Sequence, residues 1–342
     1  MASSPSSVRV AILGCGGFAG VHAKRLIARD DVEIVALCDV TEQVTASYCE
    51  KHLATLDPQP RLFVDRDAMY RDAAPDAVFI CTPHTLHYEH ACEALAHGCH
   101  VFLEKPMVTS AEQAYALKHE ADAAQRIVFI GYNTPCSPEF DFIRETIRKG
   151  TFGRLELVVG HISQGWLKGT KGKWRQDPAL SGGGQAYDSG AHLLNSLVWS
   201  VESGPASVYA FIDNLDAPVD INSAINIRFD NGVMAAIGIS GNCPTYGTHL
   251  TFIFDNGKID VDGWNAAWIR AYKGKDELKP VPLVGEKQTP DDHFIQCVQG
   301  KAKPRTGPDN GIAHSELMDA IYESARTGQP AQPRRAATTR VE

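Results

Sequence analysis

The apolar positions of the first 131 residues gather into short unbroken runs separated by amphipathic stretches. VRVAILG (8–14), VEIVALCD (32–39), RLFVD (61–65), DAVFICTP (76–83), HVFLEK (100–105) and IVFIG (127–131) are rich in β-branched residues. Continuous runs of this kind fit strands buried on both faces of a parallel sheet. AGVHAKRLIARD (19–30), HTLHYEHACEALAHG (84–98) and SAEQAYALKHEADAAQ (110–125) read as helices between them. Strand and helix in alternation predict a doubly wound α/β domain over residues 7–131.

Beyond about residue 150 the pattern changes. RLELVVGHIS, ASVYAFIDNL, SAINIRFD, VMAAIGIS, HLTFIFD and KIDVDG follow one another with little helix. Asp230-Asn231-Gly232 is a strong hairpin signal, and the same tripeptide recurs at 255–257. A mostly antiparallel sheet is therefore expected within a second, α+β domain over 132–330. Two helices close it, around DDHFIQCVQG (291–300) and IAHSELMDAIYESARTG (312–328), the latter stopped by Gly328. Residues 1–6 and 331–342 are expected to be flexible tails. A chain of 342 residues is long for one core, which agrees with two domains.

Composition narrows the function by exclusion. The chain is 44% hydrophobic and 22% charged, with a net charge of −8 and no block of like charge. Nucleic acid and anionic membranes call for clustered Lys and Arg, so neither is an expected partner. No apolar stretch approaches the roughly 20 residues of a membrane span. The start MASSPSSVRVAILG lacks a basic segment followed by a long apolar run, so no signal peptide is read and a cytoplasmic location is expected. Nine scattered cysteines without a C-x-x-C pair read as buried free thiols.

Chemistry enters with VAILGCGGFAG, where Gly14, Gly16 and Ala19 form G-x-G-x-x-A between a strand and a helix, with Gly17 and Phe18 inside the loop. The first glycine permits a tight turn, the second lets backbone approach a pyrophosphate, and a small third residue allows close helix packing. The next strand ends in Asp39, at the spacing where a carboxylate accepts ribose hydroxyls and repels a 2′-phosphate. NAD is favoured over NADP. Asp39 as the N-cap of a helix beginning near TEQVTASY fits the same placement.

A second stretch, SGGGQAYDSGAHLLN (181–195), carries Asp188 and His192 four positions apart. Helical spacing would put both on one face, where they could be metal ligands, a proton relay or a buried structural pair. Together with CTPHTLHYEHACEALAHGCHVFLEKPM (81–107), GYN (131–133) and WRQDPALSGGGQAYDSGAHLLN (174–195), it resembles the Gfo/Idh/MocA family of NAD(P)-dependent oxidoreductases. The resemblance runs from the glycine loop to AIYESARTG. It implies a Rossmann domain followed by a domain with a large open antiparallel sheet, through which members form dimers or tetramers. Lys105 then matches the lysine of the Glu104-Lys105-Pro106 motif, and Asp188 and His192 match the motif acid and histidine. Cys81, Thr82, Pro83 and His87 match a loop lining the cofactor, and Glu104 adjoins it. His84 stands where asparagine is frequent, Asn195 where a second aspartate is frequent, and Ala19 where a third glycine is.

Oxidising a secondary alcohol with NAD requires a base for the hydroxyl proton, a task suited to histidine. His192 is assigned that role, Lys105 the stabilisation of the developing alkoxide, and Asp188 the orientation of His192 or a substrate hydroxyl. The other use of Lys105 is a pair with Glu104, to which strand alternation is unfavourable. Family substrates are sugars, polyols and inositols. Trp166, Trp174 and Arg175 offer stacking and polar contacts to such a ring, or are part of a solvated basic loop with tryptophans packed on the sheet. Tyr132, Asn133 and Tyr187 are the other side chains expected near substrate. No metal is expected: His84, His87 and His90 do not make a closed ligand set. Two alternatives stay open from the resemblance: a redox-assisted glycosidase that retains its NAD, and a non-catalytic sugar-sensing regulator.

Overall fold

All six predicted strand runs form one parallel sheet of the order β3-β2-β1-β4-β5-β6, but the one from RLFVD is an edge strand with Arg61 and Leu62 exposed and not buried as expected. The computed structural model describes residues 7–335. In chain order the elements begin β1 (Val8–Leu13), α1 (Ala19–Leu26), β2 (Val32–Cys38), α2 (Glu42–His52), β3 (Arg61–Phe63) and α3 (Arg66–Ala73). They continue β4 (Ala77–Ile80), α4 (His87–Ala96), β5 (His100–Leu103), α5 (Ala111–Ala124) and β6 (Val128–Ile130). The order of strands reverses between β1 and β4, which makes the carboxyl ends of these two strands the switch point where such sheets hold ligands.

The remainder runs α6 (Pro138–Lys149), β7 (Leu155–Ser163), α7 (Trp166–Thr170), α8 (Pro178–Ser181), α9 (Gly190–Val201), β8 (Pro205–Asp213) and β9 (Asn222–Phe229). Then follow β10 (Met234–Ser240), β11 (Gly247–Phe254), β12 (Gly257–Val261), β13 (Ile269–Lys273), β14 (Asp276–Glu277), α10 (Pro290–Val298) and α11 (Pro308–Thr327). Eight strands form the second sheet, ordered β14-β13-β12-β11-β7-β10-β9-β8 and antiparallel except for the β7–β10 pair. Alternation decides its two faces. Val158, Ile162, Ala235, Ile237, Leu250 and Phe252 are buried in one core with residues of α9, a helix buried along its whole length.

The chain forms two compact units, and their membership differs from the sequence reading. The first takes residues up to Met107, Ala116–Gly131 and also Thr289–Pro308; the second takes Val108–Tyr115, Tyr132–Gln288 and the rest from Asp309. Thr289–Pro308 was expected in the second domain. It joins the first because Phe294 packs edge-on against Phe79 and Phe102, and Asp291 is buried against α1. Residues 331–335 are not a loose tail: Ala331 pairs with Val208, and Arg335 reaches Asp230. The expected flexibility of 1–6 and 336–342 lies outside the described residues. α6 is not among the predicted helices, although its signals are local: Ser137 caps it, Pro138 opens it and Gly150 closes it in the left-handed region.

Candidate functional site

In the first unit the glycine loop leaves β1 at a left-handed Gly14 (φ 92°). A Cβ there would lie 2.8 Å from the Cys81 carbonyl carbon and 2.9 Å from Thr82 N, so the loop after β4 admits only glycine. Gly16 and Gly17 differ: a Cβ on either would meet nothing within 4 Å. Phe18 precedes α1 with no side-chain cap, and Ala19 is fully buried. The leading N–H groups of α1 have no side-chain acceptor, the condition in which a helix start receives a phosphate. A cleft of about 380 Å³ lies beside the loop, between Cys15, Gly16 and Gly17 and the α2 residues Gln43, Val44, Ser47, Tyr48, Lys51 and His52. The sequence reading named none of those α2 residues.

Asp39 is not the cap of α2. Thr41 takes that place, accepting from Val44 N–H. Asp39 instead accepts from Cys15 N–H in the glycine loop (2.6 Å) and from Val40 N–H (2.6 Å). The carboxylate and the glycine loop are thus tied together in one edge.

Around Lys105 the neighbours are braced by two histidines. His22 on α1 is buried, with Nε2 3.0 Å from Glu104 Oε1 and Nδ1 2.6 Å from Asp291 Oδ1. Both nitrogens donate to carboxylates, the arrangement of an imidazolium. Burial alone would discharge the ring, but Asp291 and Glu104 outweigh it and raise the pKa to about 9. Arg25 also reaches Asp291 (2.6 Å), and the carboxylate is held below its usual range against the cost of burial. Glu104 is thereby held by His22 through Oε1.

His87 is fully buried, with Nδ1 2.8 Å from the Pro106 carbonyl oxygen and Nε2 2.9 Å from that of Thr82. Burial lowers its pKa, against the pull of the two carbonyls. Its ring braces the loop after β4 to the loop after β5, where the resemblance had placed it facing cofactor. Thr82 Oγ1 meets His90 Nδ1 at 3.0 Å, and His84 is 3% exposed, 5.8 Å from His87 between ring centres. Among the described residues no three His, Cys, Asp or Glu side chains form a metal-binding group.

In the second unit Asp188 lies in the turn before α9 and His192 in its first turn. Asp188 Oδ2 accepts from the Trp166 indole N–H (2.8 Å) and from Arg175 Nε (2.9 Å). Arg175 also lies over the Trp174 ring, 4.5 Å from its centre. His192 stacks on Trp264 at 4.3 Å and meets the Tyr132 ring edge-on at 6.0 Å. Trp264 had no signal in the sequence beyond being aromatic. Asn133 contacts Asn265 at 3.5 Å.

Two expectations change here. Trp166 is 4% exposed and packs with Val219 and Ile221, so it holds Asp188 and offers no open ring to a sugar. Tyr187 is buried in the sheet core beside Tyr322, away from solvent. At Gly190 a Cβ would lie 2.8 Å from Ile239 Cδ1, so the helix start packs closely on β10.

A glycine turn at the switch point of a doubly wound sheet, tied to an acid at the end of β2, defines a dinucleotide-binding oxidoreductase of two units. The chain belongs to the Gfo/Idh/MocA oxidoreductase family: residues 8–132 match its NAD-binding Rossmann fold and residues 140–260 its C-terminal domain. It is 26% identical to D-glucoside 3-dehydrogenase of Escherichia coli over 96% of this chain and 97% of that protein. Similarity to glycosyl hydrolase family 109 protein 2 of Akkermansia muciniphila, at 28% identity, spans 50% of this chain and 38% of that protein. The fold is that of the WlbA dehydrogenase from Bordetella pertussis, solved with NADH and UDP-GlcNAcA (TM-score 0.83, 22% identity, 96% of this chain and 100% of that one). No helix among the described residues is long and apolar enough to cross a membrane.

Proposed function

We propose that this oxidoreductase is an NAD-dependent dehydrogenase acting on a ring secondary hydroxyl, or the matching ketone, of a sugar, sugar derivative or cyclitol. The observation that carries it is the polar pair of the second unit: Asp188 clamped by Trp166 and Arg175, and His192 clamped between Trp264 and Tyr132. A base whose ring cannot turn is suited to taking one proton from one hydroxyl. Similarity to D-glucoside 3-dehydrogenase over nearly the whole chain supports the sugar substrate. The glycosidase alternative has similarity over only half the chain behind it.

The dinucleotide fits the first unit. Gly16 and Gly17 leave open space, α1 begins uncapped, and Asp39 holds the loop amide of Cys15. When bound, the nicotinamide supplies the hydride acceptor. Asp39 would receive the ribose hydroxyls. Lys105 would donate to the reacting oxygen as its proton leaves. His192 Nδ1 or Nε2 would take that proton, and Asp188 would favour the resulting imidazolium. Cys81, Thr82, Pro83 and His84 would line the nicotinamide side. Arg175, Trp174 and Asn133 would meet the substrate, while Tyr132, 1% exposed, would hold the His192 ring and not the sugar.

The purified chain incubated with NAD and a panel of glycosides, aldoses and inositols should form NADH, read by absorbance. Release of aglycone without net NADH would overturn the dehydrogenase reading.

Assembly through the outer face of the second sheet belongs to the same proposal. Val159, Phe211 and Met234 point to that face and are 42%, 61% and 43% exposed. A homodimer or homotetramer would cover them. Buried free thiols such as Cys15, Cys38 and Cys99 fit the cytoplasm.

A further inference from the structure

Three consecutive amides in the glycine-rich turn before α9 end on one residue. Gly184 N–H donates to Asp220 Oδ1 (2.6 Å), Ala186 N–H to Asp220 Oδ2 (2.8 Å), and Gln185 N–H to the Asp220 carbonyl (2.9 Å). The Tyr322 hydroxyl of α11 donates to Oδ1 as well. Asp220 is 3% exposed, and the backbone there occupies the place a Gly184 Cβ would need. Gly183 is constrained by side chains, the Tyr322 hydroxyl and the Tyr187 ring. The turn at Gly183 and Gly184 is therefore a close fit around Asp220 and Tyr322.

What hangs from this anchor is the candidate site. Asp188 N–H bonds the Gly184 carbonyl (2.9 Å), and Gly190 N–H, at the start of α9, bonds the Gln185 carbonyl (2.8 Å). Trp166 and Arg175 fix the Asp188 carboxylate from its far end.

We propose that Asp220 is a positioning residue for the dehydrogenase reaction, setting the backbone from which Asp188 and His192 project. The proposal rests on the function proposed above. The Asp220 carboxylate is spent on three buried donors and acts through Asp188 and His192. Carboxylates receiving backbone N–H groups make the stronger class of hydrogen bond, so the anchor is stiff.

Asp220→Asn in the full chain keeps the shape but turns an NH2 toward one of the two amides. Amide hydrogen exchange at 184–188 should quicken by roughly tenfold or more while the strands of the first unit keep their protection. Turnover should fall about 10- to 100-fold, the scale of an ångström-sized misplacement, while NADH binding, followed by fluorescence, stays within about twofold. Tyr322→Phe spares both amide bonds and should lose only about two- to fivefold in kcat, which keeps the test valid if Asp220→Asn does not fold. Phe252→Leu, a core change in the same unit, should lower Tm without either local exchange or a comparable kcat loss. Unchanged exchange at 184–188 overturns the anchor. Quickened exchange with kcat within about twofold of the parent overturns the positioning role. If the parent turns over no sugar or cyclitol, the proposed reaction fails, and exchange still decides the anchor.

Discussion

At the end of β2 a carboxylate has two employments open to it, capping the next helix or facing a ribose, and spacing alone fits both. The geometry separates them because Thr41 does the capping and Asp39 turns to Cys15 N–H. Asp39→Ala should raise the NADP-to-NAD ratio of kcat/KM by about tenfold or more, since it removes the charge that repels a 2′-phosphate; an unchanged ratio would refute the assignment. Trp166→Phe removes the indole N–H from a buried carboxylate and should cost about 1–3 kcal/mol in urea unfolding, with a fall in kcat. Lys105, Asp188 and His192 could be singled out from sequence because the motifs containing them are contiguous. Asp220, Trp264 and His22 could not, since each acquires its meaning from a partner far along the chain.

Among elements, α1, the loop after β5 and α10 share one charge network through His22, Glu104 and Asp291. The folded His22 pKa of about 9 lies above its ordinary 6.5. Its contribution, on the order of 3 kcal/mol, is full below pH ~6.5 and fades as pH rises through ~9. Parent stability should thus decline over that window more steeply than that of His22→Gln, measured by denaturant unfolding at each pH. The glycines divide by element too. Gly17→Ala adds a methyl to open space and should leave Tm unchanged while weakening NADH binding, whereas Gly184→Ala should lower Tm by many degrees. The strands were legible because their runs are apolar and β-branched. α10 was legible as a helix but not as part of the first unit, because its apolar face, Phe294 and Ile295, carries no label saying which core it enters.

For the whole molecule, period-two alternation separated the buried face of the second sheet from the outer one. Nothing in that pattern tells an outer face meant for water from one meant for another copy. The exposed Val159, Phe211 and Met234 argue for the copy. Val159→Glu with Met234→Glu should reduce the mass found by light scattering to that of one chain; a monomeric parent would overturn the proposed assembly.

The return of Thr289–Pro308 to the first unit also sets an order in time. On the ribosome, β1 to β6 emerge complete while Asp291 is still unmade, so His22 and Glu104 lie together without their second carboxylate. At ~5–20 residues/s the wait lasts on the order of ten seconds or more. A nascent chain ending at Gly131 would have to shelter the surface that Phe294 later covers. The nucleotide-binding half is therefore the first to begin, yet its chain is completed only at Pro308, long after β6 has been made.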